Sequence, residues 1–284
     1  MKAHWMLAAL MLVLPGTKPL TRTGDIASQM LDGIDGYLRR QLAASPAHRE
    51  ARWGQEAGRR ERFRQIIGLV DERTPFESPA KLGLVAEAAS YKVYTVRWPV
   101  LRGVDAEGLL LEPNGAPVAR VVALPDADGT PEMIAGLAPG LPRAAQFARR
   151  LAESGYLVLV PTLVDRAATV SVPPNPLDWI TNQSRREFLY RMAFQMGRHV
   201  AGYEVQKVLA AVDWFTRSAP AGPVGVAGYG EGGLVALYSA AADTRIDAAL
   251  SVATFSSGKV CGRSRSTGTY GGCSRSSVMP SSRA

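Results

Sequence analysis

The sequence predicts an α/β fold, in which a mostly parallel sheet carries helices on both faces. The main observation is that continuous apolar runs alternate with helical patterns; the runs are Val118–Leu124, Tyr156–Pro161, Pro223–Gly228 and Asp247–Phe255. A strand that is apolar along its whole length is buried on both faces, which is typical of parallel sheets between helices. The composition agrees, because 284 residues with 46% hydrophobic and 20% charged side chains are enough to bury a core.

The elements before the first parallel strand are of a different kind. Residues Asp25–Leu42 and Pro46–Val70 carry apolar side chains three and four positions apart, which predicts two helices. Tyr91–Val100 and Glu107–Pro113 have strand composition and a short connection, which predicts an antiparallel pair. We therefore expect a helical segment over residues 21–80, followed by an α/β domain over residues 81–257.

Three helices are predicted between the parallel strands. An amphipathic pattern covers Pro142–Ser154, a long helical stretch covers Ser184–Arg217, and a third pattern covers Gly232–Ala242. Strand, helix, strand, long helix, strand and helix then follow one another along the chain.

The first 20 residues have the pattern of a secretory signal peptide. Lys2 precedes an apolar run from Trp5 to Leu14, which is too short to span a bilayer. We expect a secreted or periplasmic protein with no membrane association after signal removal.

Residues 258–284 differ in composition from everything before them. This tail is rich in Ser, Gly and Arg and supplies +5 of the formal net charge of +8, which leaves +3 for the rest of the chain. Because the rest has no dense basic stripe, we expect no nucleic-acid partner. The tail is interpreted either as a natural basic extension or as the product of a shifted reading frame, and the sheet is expected to be C-terminally truncated.

The segment "GYGEGG", Gly228 to Gly233, matches two different sequence motifs. Glycines 228, 230 and 233 match a dinucleotide-binding fingerprint, whereas glycines 228 and 232 flank the nucleophile's place in a nucleophile elbow. A dinucleotide site also needs an acidic residue at the end of the next strand. Asp247 precedes that strand, so the elbow interpretation is favoured.

Four stretches together resemble a known family; they are "VARVVALPDADGTPEM", "FARRLAESGYLVLVPTL", "REFLYRMAFQMGRHVAGYEVQKVLAAVDWF" and "GYGEGGLVALYSAAADTRIDAAL". Over roughly Tyr91 to Thr254 the chain is similar to secreted bacterial α/β-hydrolase-fold proteins of the acetyl xylan esterase and dienelactone hydrolase group. The resemblance implies an α/β-hydrolase fold. It also implies descent from a carboxylic-ester hydrolase that acts on a small-molecule or carbohydrate ester, without cofactor or metal.

The same resemblance implies that the catalytic machinery is incomplete. It places the nucleophile at Gly230, between Tyr229 and Glu231, with Gly232 and Gly233 completing the elbow. The backbone N–H of Glu231 and a second N–H from Pro125–Gly129 would form the oxyanion hole. The family's order is nucleophile, acid, histidine, yet His4, His48 and His199 all precede Gly230. We therefore expect no triad activity, with His199 interpreted as a surface or core-edge residue.

Two acidic features remain as candidates for ligand binding. Asp126, Asp128 and Gly129 follow the first parallel strand, where the carboxylates could bind a ligand or belong to an ordinary loop. Glu231 could act as an acid or favour the N-terminus of the helix that begins there. The alternative to an esterase that has lost its activity is a non-catalytic protein that binds a carbohydrate or an acyl ligand.

Overall fold

The computed structural model describes residues 23–52, 58–166, 185–218 and 222–254. The predicted signal peptide and the tail over residues 258–284 lie outside these ranges. By its internal contacts the chain divides into two units, Met1–Gly54 and Gln55–Ala284. In the described ranges, no helix has both the length and the hydropathy needed to cross a membrane.

Over the part of the first unit that the structure describes, residues 23–52, there is one helix, α1, at Ile26–Ala51. The sequence predicts a break before Pro46, but the helix continues through this proline. Pro46 has no N–H to donate to the carbonyl of Leu42, four residues earlier. The hydroxyl of Ser45 donates to that carbonyl at 2.8 Å instead, so the helix is not interrupted. The predicted second helix is shorter than expected; α2 covers only Arg59–Ile66 and belongs to the second unit.

The second unit is built on a sheet of seven strands in the order β1-β2-β3-β5-β4-β6-β7. The predicted antiparallel pair is present as β2 (Tyr91–Leu101) and β3 (Val104–Pro113). Strand β1 (Ala80–Glu87) pairs antiparallel with β2 and was not predicted from the sequence. Seven of its eight residues are exposed, so it carries none of the alternation that marks a half-buried strand.

The remaining strands form the parallel part of the sheet, as the apolar runs predict. These are β4 (Arg120–Leu124), β5 (Leu157–Pro161), β6 (Val224–Tyr229) and β7 (Ala248–Val252). Strand β4 pairs parallel with both β5 and β6, and β6 pairs parallel with β7. Strand β7 is exposed along its whole length, in contrast to the buried strand expected from its composition.

The helices differ from the predictions mainly in where they break. A short helix α3 (Pro131–Ala135) was not expected, and the Pro142–Ser154 prediction resolves into a 3-10 helix at Arg143–Ala145 and α4 at Phe147–Glu153. The long stretch after β5 resolves into α5 (Arg185–Gln195) and α6 (Val200–Arg217), because His199 has extended backbone. Helix α7 covers Glu231–Ala242.

Two apolar cores cover the two faces of the sheet. One contains residues of α6 and α7, such as Phe215 and Val235, against Trp98, Val122 and Val226. The other contains residues of α3 and α4, such as Ile134 and Ala152, against strand residues that include Val158. Helices on both faces of a mostly parallel sheet confirm the predicted fold class.

Candidate functional site

The candidate site is the turn between β6 and α7. Strand β6 ends at Tyr229, α7 begins at Glu231, and Gly230 alone makes the turn. Its φ of 58° and ψ of −120° lie in a region that side-chain-bearing residues rarely adopt. The N–H of Gly230 donates to the carbonyl of Val252 at 2.9 Å, which fixes the turn to the end of β7. This sharp strand-turn-helix geometry is the one that presents a nucleophile in α/β-hydrolases.

The glycines on either side of the turn are required by close backbone approach. A Cβ at Gly228 would lie 2.2 Å from the carbonyl carbon and oxygen of Gly232, and a Cβ at Gly232 would lie 2.2 Å from the carbonyl oxygen of Pro125. Both distances are far inside van der Waals contact. The strand, the helix and the loop after β4 therefore approach one another as closely as backbones can.

Two backbone N–H groups converge beside the turn. The N–H of Glu231, at the start of α7, donates to Oδ1 of Asp126 at 2.9 Å. The N–H of Ala127, in the loop after β4, donates to the same oxygen at 2.9 Å. Two donors aimed at one point are the arrangement of an oxyanion hole. In this structure the acceptor at that point is Oδ1 of Asp126.

The carboxylate of Asp126 also fills the space that a side chain at position 230 would need. A Cβ built on Gly230 would lie 2.6 Å from Oδ1 and 3.2 Å from Oδ2 of Asp126. Residue 230 therefore lacks a reactive group, and its place is occupied by an acidic side chain from the neighbouring loop.

An ion-pair cluster holds these acidic side chains in place. The guanidinium of Arg166, which follows β5, lies 2.8 Å from Asp128, 2.7 Å from Glu231 and 3.5 Å from Asp126. The second carboxylate oxygen of Glu231 pairs with Arg186 on α5. The side chains of Glu231 and Arg186 are only 5% and 7% exposed, so this pair is buried.

Arg186 is fixed by the loop after β5 as well as by Glu231. It donates to the carbonyl of Val164 at 2.7 Å, and the N–H of Val164 donates to the buried carboxylate of Glu204 on α6 at 2.7 Å. Burial lowers the pKa of the Arg186 guanidinium from its usual value, and the nearby Glu204 carboxylate opposes this effect. The cluster thus connects the start of α7 to α5 and α6.

A cavity of about 560 Å³ opens next to the turn. Asp126 and Asp128 contribute its acidic groups. The rest of its wall is largely apolar and includes Met133, Ile134, Leu141, Phe147, Leu250 and Val252. A cavity of this size with apolar walls and few polar groups is typical of small-molecule sites.

The structure brings together most residues singled out in the sequence and adds two that were missed. Asp126, Asp128, Gly129, Gly228 and Tyr229 all line the cavity. Glu231 begins α7 as expected, and its buried side chain forms ion pairs with Arg166 and Arg186.

Arg166 and Arg186 were not identified from the sequence. Arg166 follows β5, and side chains that follow neighbouring parallel strands meet at one edge of a sheet. That rule could have found Arg166, but no comparable signal marks Arg186, which reaches the site from a helix.

Asp247, the acidic residue considered for a nucleotide site, lies away from the turn. Asp247 accepts a hydrogen bond from the N–H of Val224 at 2.8 Å, at the start of β6 and thus at the opposite end from Gly228. Within the described ranges, no group of three or more His, Cys, Asp or Glu side chains is arranged to hold a metal ion.

His199 has a structural role at the start of α6. Its Nδ1 accepts a hydrogen bond from the N–H of Ala201 at 3.1 Å, so it caps the helix, and its ring packs against Tyr190 with centroids 5.3 Å apart. Burial and, secondarily, the positive charge of Arg186 lower the pKa of His199 from 6.5. Protonation would remove the acceptor and add a charge beside Arg186.

We expect this cap to make stability depend on pH. The unfolded chain takes up a proton near pH 6.5 whereas folded His199 resists it, so the stabilisation is complete above pH 6.5 and is lost as the pH falls below that value. The loss can reach about 1.4 kcal/mol per pH unit. Urea unfolding between pH 8 and 5 measures it. His199→Asn, which keeps a capping oxygen without titrating, should show a shallower dependence; parallel curves for the two proteins would contradict this role.

Comparison with protein families gives a match to most of the second unit. The model described as the Dienelactone hydrolase family matches residues 106–256, which is more than half of the chain. The matched range begins in β3 and includes the turn, the Asp126 loop and β7. None of the curated proteins matches the chain.

Three acetyl xylan esterases are among the solved structures that the chain resembles. A candidate acetyl xylan esterase from Bacteroides fragilis is 17% identical with a TM-score of 0.50, over 66% of this chain and 50% of its own. An acetyl xylan esterase from Paenibacillus sp. R4 is 16% identical with a TM-score of 0.43, over 68% of this chain and 58% of its own. Acetyl xylan esterase 1 from Thermoanaerobacterium sp. JW/SL YS485 is 13% identical with a TM-score of 0.40, over 66% of this chain and 60% of its own. The chain thus spans half of the length of the first of these proteins.

Proposed function

Because this chain belongs to the dienelactone hydrolase family, we propose that it descends from a carboxylic-ester hydrolase and now binds an acyl ligand without hydrolysing it through a nucleophilic triad. The observation that carries this proposal is at the elbow. The turn has the geometry for a nucleophile, while its residue is Gly230 and the two converging N–H groups are bonded to Asp126.

Hydrolysis on this fold needs a side chain that attacks the carbonyl carbon and donors that stabilise the resulting oxyanion. Gly230 offers no attacking atom, and the donors of Ala127 and Glu231 already have an acceptor. Two hydroxyls lie near the turn: those of Ser251 and Thr254 are 2.7 Å apart, and Thr254 also donates to the carbonyl of Gly230 at 3.2 Å. These contacts support a structural role for both hydroxyls.

The cavity favours an acyl ligand over a carbohydrate. A sugar exposes hydroxyls on most of its surface, and each hydroxyl that is buried without a partner costs free energy. The cavity offers apolar side chains such as Met133, Leu141 and Phe147, and its acidic groups are those of Asp126 and Asp128. An uncharged ester with an apolar alkyl chain matches this lining.

The test uses one preparation of the protein for turnover and for binding. We expect no turnover of p-nitrophenyl acetate above that of the heat-denatured protein. Butyl acetate, an uncharged ester, should bind saturably in ligand-observed NMR. Turnover that one substitution abolishes would overturn the inactivity, and absence of butyl acetate binding would overturn the acyl site.

A pair of variants locates the binding. Ala145 is exposed and lines the cavity, whereas its neighbour Ala144 is exposed and does not line it. Ala145→Trp should fill the cavity and abolish butyl acetate binding, while Ala144→Trp should leave binding unchanged. Equal effects of the two substitutions would place the ligand elsewhere.

A further inference from the structure

We propose that Asp126 determines which ligands the cavity accepts: its carboxylate occupies the pair of N–H groups at the turn, so that uncharged acyl ligands enter and carboxylates are excluded. This inference rests on the proposed acyl site and adds a charge selectivity to it. It makes Asp126 a specificity-determining residue rather than a catalytic one.

The occupancy follows from the geometry of the two donors. Both N–H groups, of Ala127 and Glu231, donate to Oδ1 of Asp126 at 2.9 Å, a normal length for this kind of bond. Hydrogen bonds from N–H groups to a carboxylate are among the stronger ones in proteins. A ligand carboxylate must therefore displace Asp126 before it can use either donor.

The charges around the cavity act in the same direction. Asp126 and Asp128 both line it, and the guanidinium that neutralises them, Arg166, also contacts Glu231. With Arg186, which pairs with Glu231, two guanidinium groups thus face three carboxylates. Next to the apolar wall, a fourth carboxylate would be repelled more strongly than in water, because the wall lowers the local dielectric.

Removing the Asp126 side chain should invert this selectivity. In Asp126→Ala, the N–H groups of Ala127 and Glu231 lose their acceptor, while Arg166 remains nearby and the start of α7 adds partial positive charge. A carboxylate with a short apolar tail could then place one oxygen where Oδ1 lies in the wild-type protein and its tail in the cavity.

The test measures the binding of butyrate and butyl acetate to the wild-type protein and to Asp126→Ala. We expect the wild-type protein to bind butyl acetate and not butyrate. Asp126→Ala should bind butyrate with a Kd at least about tenfold lower than the wild-type value, because two donors become available. Binding of butyrate to the wild-type protein, or no gain in Asp126→Ala, would overturn the inference while leaving the acyl site intact. Absence of butyl acetate binding to the wild-type protein would instead contradict the proposed function.

Two control variants separate occupancy from charge. Asp126→Asn keeps an oxygen at the position of Oδ1 but removes the charge. Asp128→Ala removes a charge beside Arg166 while leaving the N–H pair occupied. Each removes part of the repulsion but leaves the N–H pair occupied, so both should gain much less butyrate affinity than Asp126→Ala does. If either variant binds butyrate as Asp126→Ala does, charge alone governs entry and the proposed occupancy is wrong.

A measurement on the wild-type protein keeps the inference testable even if a variant fails to fold. The methyl resonance of Met133, which lines the cavity, should shift with butyl acetate and stay unchanged with butyrate. The amide protons of Ala127 and Glu231 should exchange slowly with solvent in both conditions. Shifts of these amides on adding butyrate would show that Asp126 is displaced and would contradict the proposal.

Discussion

Replacing Glu231 by Gln is expected to lower the free energy of unfolding by about 3–5 kcal/mol, the cost of breaking a buried ion pair by removing one partner. Arg186, with a side chain only 7% exposed, would be left with a buried charge and without its carboxylate. Urea unfolding followed by circular dichroism measures the loss. Because Arg186 is on α5 and Glu231 on α7, the variant should also loosen the site.

The matched control is a surface pair of the same kind. Glu107 pairs with Arg97 across β2 and β3, and both side chains are about half exposed. Glu107→Gln should cost less than about 1 kcal/mol, as exposed pairs do. Equal losses for the two variants would show that the cluster around Glu231 contributes no more than a surface pair. In a double-mutant cycle, Arg186→Met should reduce the cost of Glu231→Gln, because the unpaired charge is then absent.

Replacing Gly228 by Ala is expected to destabilise the protein by about 3 kcal/mol or more, at or above the upper end of overpacking effects. The added Cβ would lie 2.2 Å from the carbonyl group of Gly232 and 2.6 Å from the N of Gly233. These are backbone atoms in the first turn of α7, so the strain cannot be relieved by a rotamer change. The midpoint of thermal unfolding should fall accordingly.

Gly225, on the same strand, is the control for this substitution. A Cβ there would meet nothing closer than 3.6 Å, the distance to Val121. Gly225→Ala should therefore change the free energy of unfolding by less than about 1 kcal/mol, and in the stabilising direction through the lower entropy of the unfolded chain. If Gly228→Ala is tolerated as well as Gly225→Ala, the helix does not approach the strand as closely as described.

Local sequence patterns predicted most strands of the sheet but missed several helix boundaries. The apolar runs predicted β4, β5 and β6 because buried strands in a parallel sheet need apolar side chains on both faces. Strand β1 was missed because it is exposed and forms only by pairing with β2. A break was expected between Leu42 and Pro46, but the hydroxyl of Ser45 compensates for the missing N–H of Pro46, an interaction that propensity does not include.

For the site, the sequence identified the turn but not what occupies it. Glycines at 228 and 232 predicted an elbow, and the loop containing Asp126 was expected to provide an N–H donor. That the Asp126 side chain accepts hydrogen bonds from both donors depends on residues 105 positions apart in the chain being brought within 2.9 Å. Arg186, on α5, pairs with Glu231, and no spacing in the sequence relates the two residues.

The sequence by itself determined the fold class and the glycine at the turn, since an alternation of apolar strands with helices and the identity of residue 230 are local properties. Only the tertiary structure decided what occupies the N–H groups of Ala127 and Glu231, and which side chains pair with Glu231. Both depend on side chains that follow different strands and meet where β4, β5 and β6 end. That meeting is set by the order of strands in the sheet and is not encoded in any single segment.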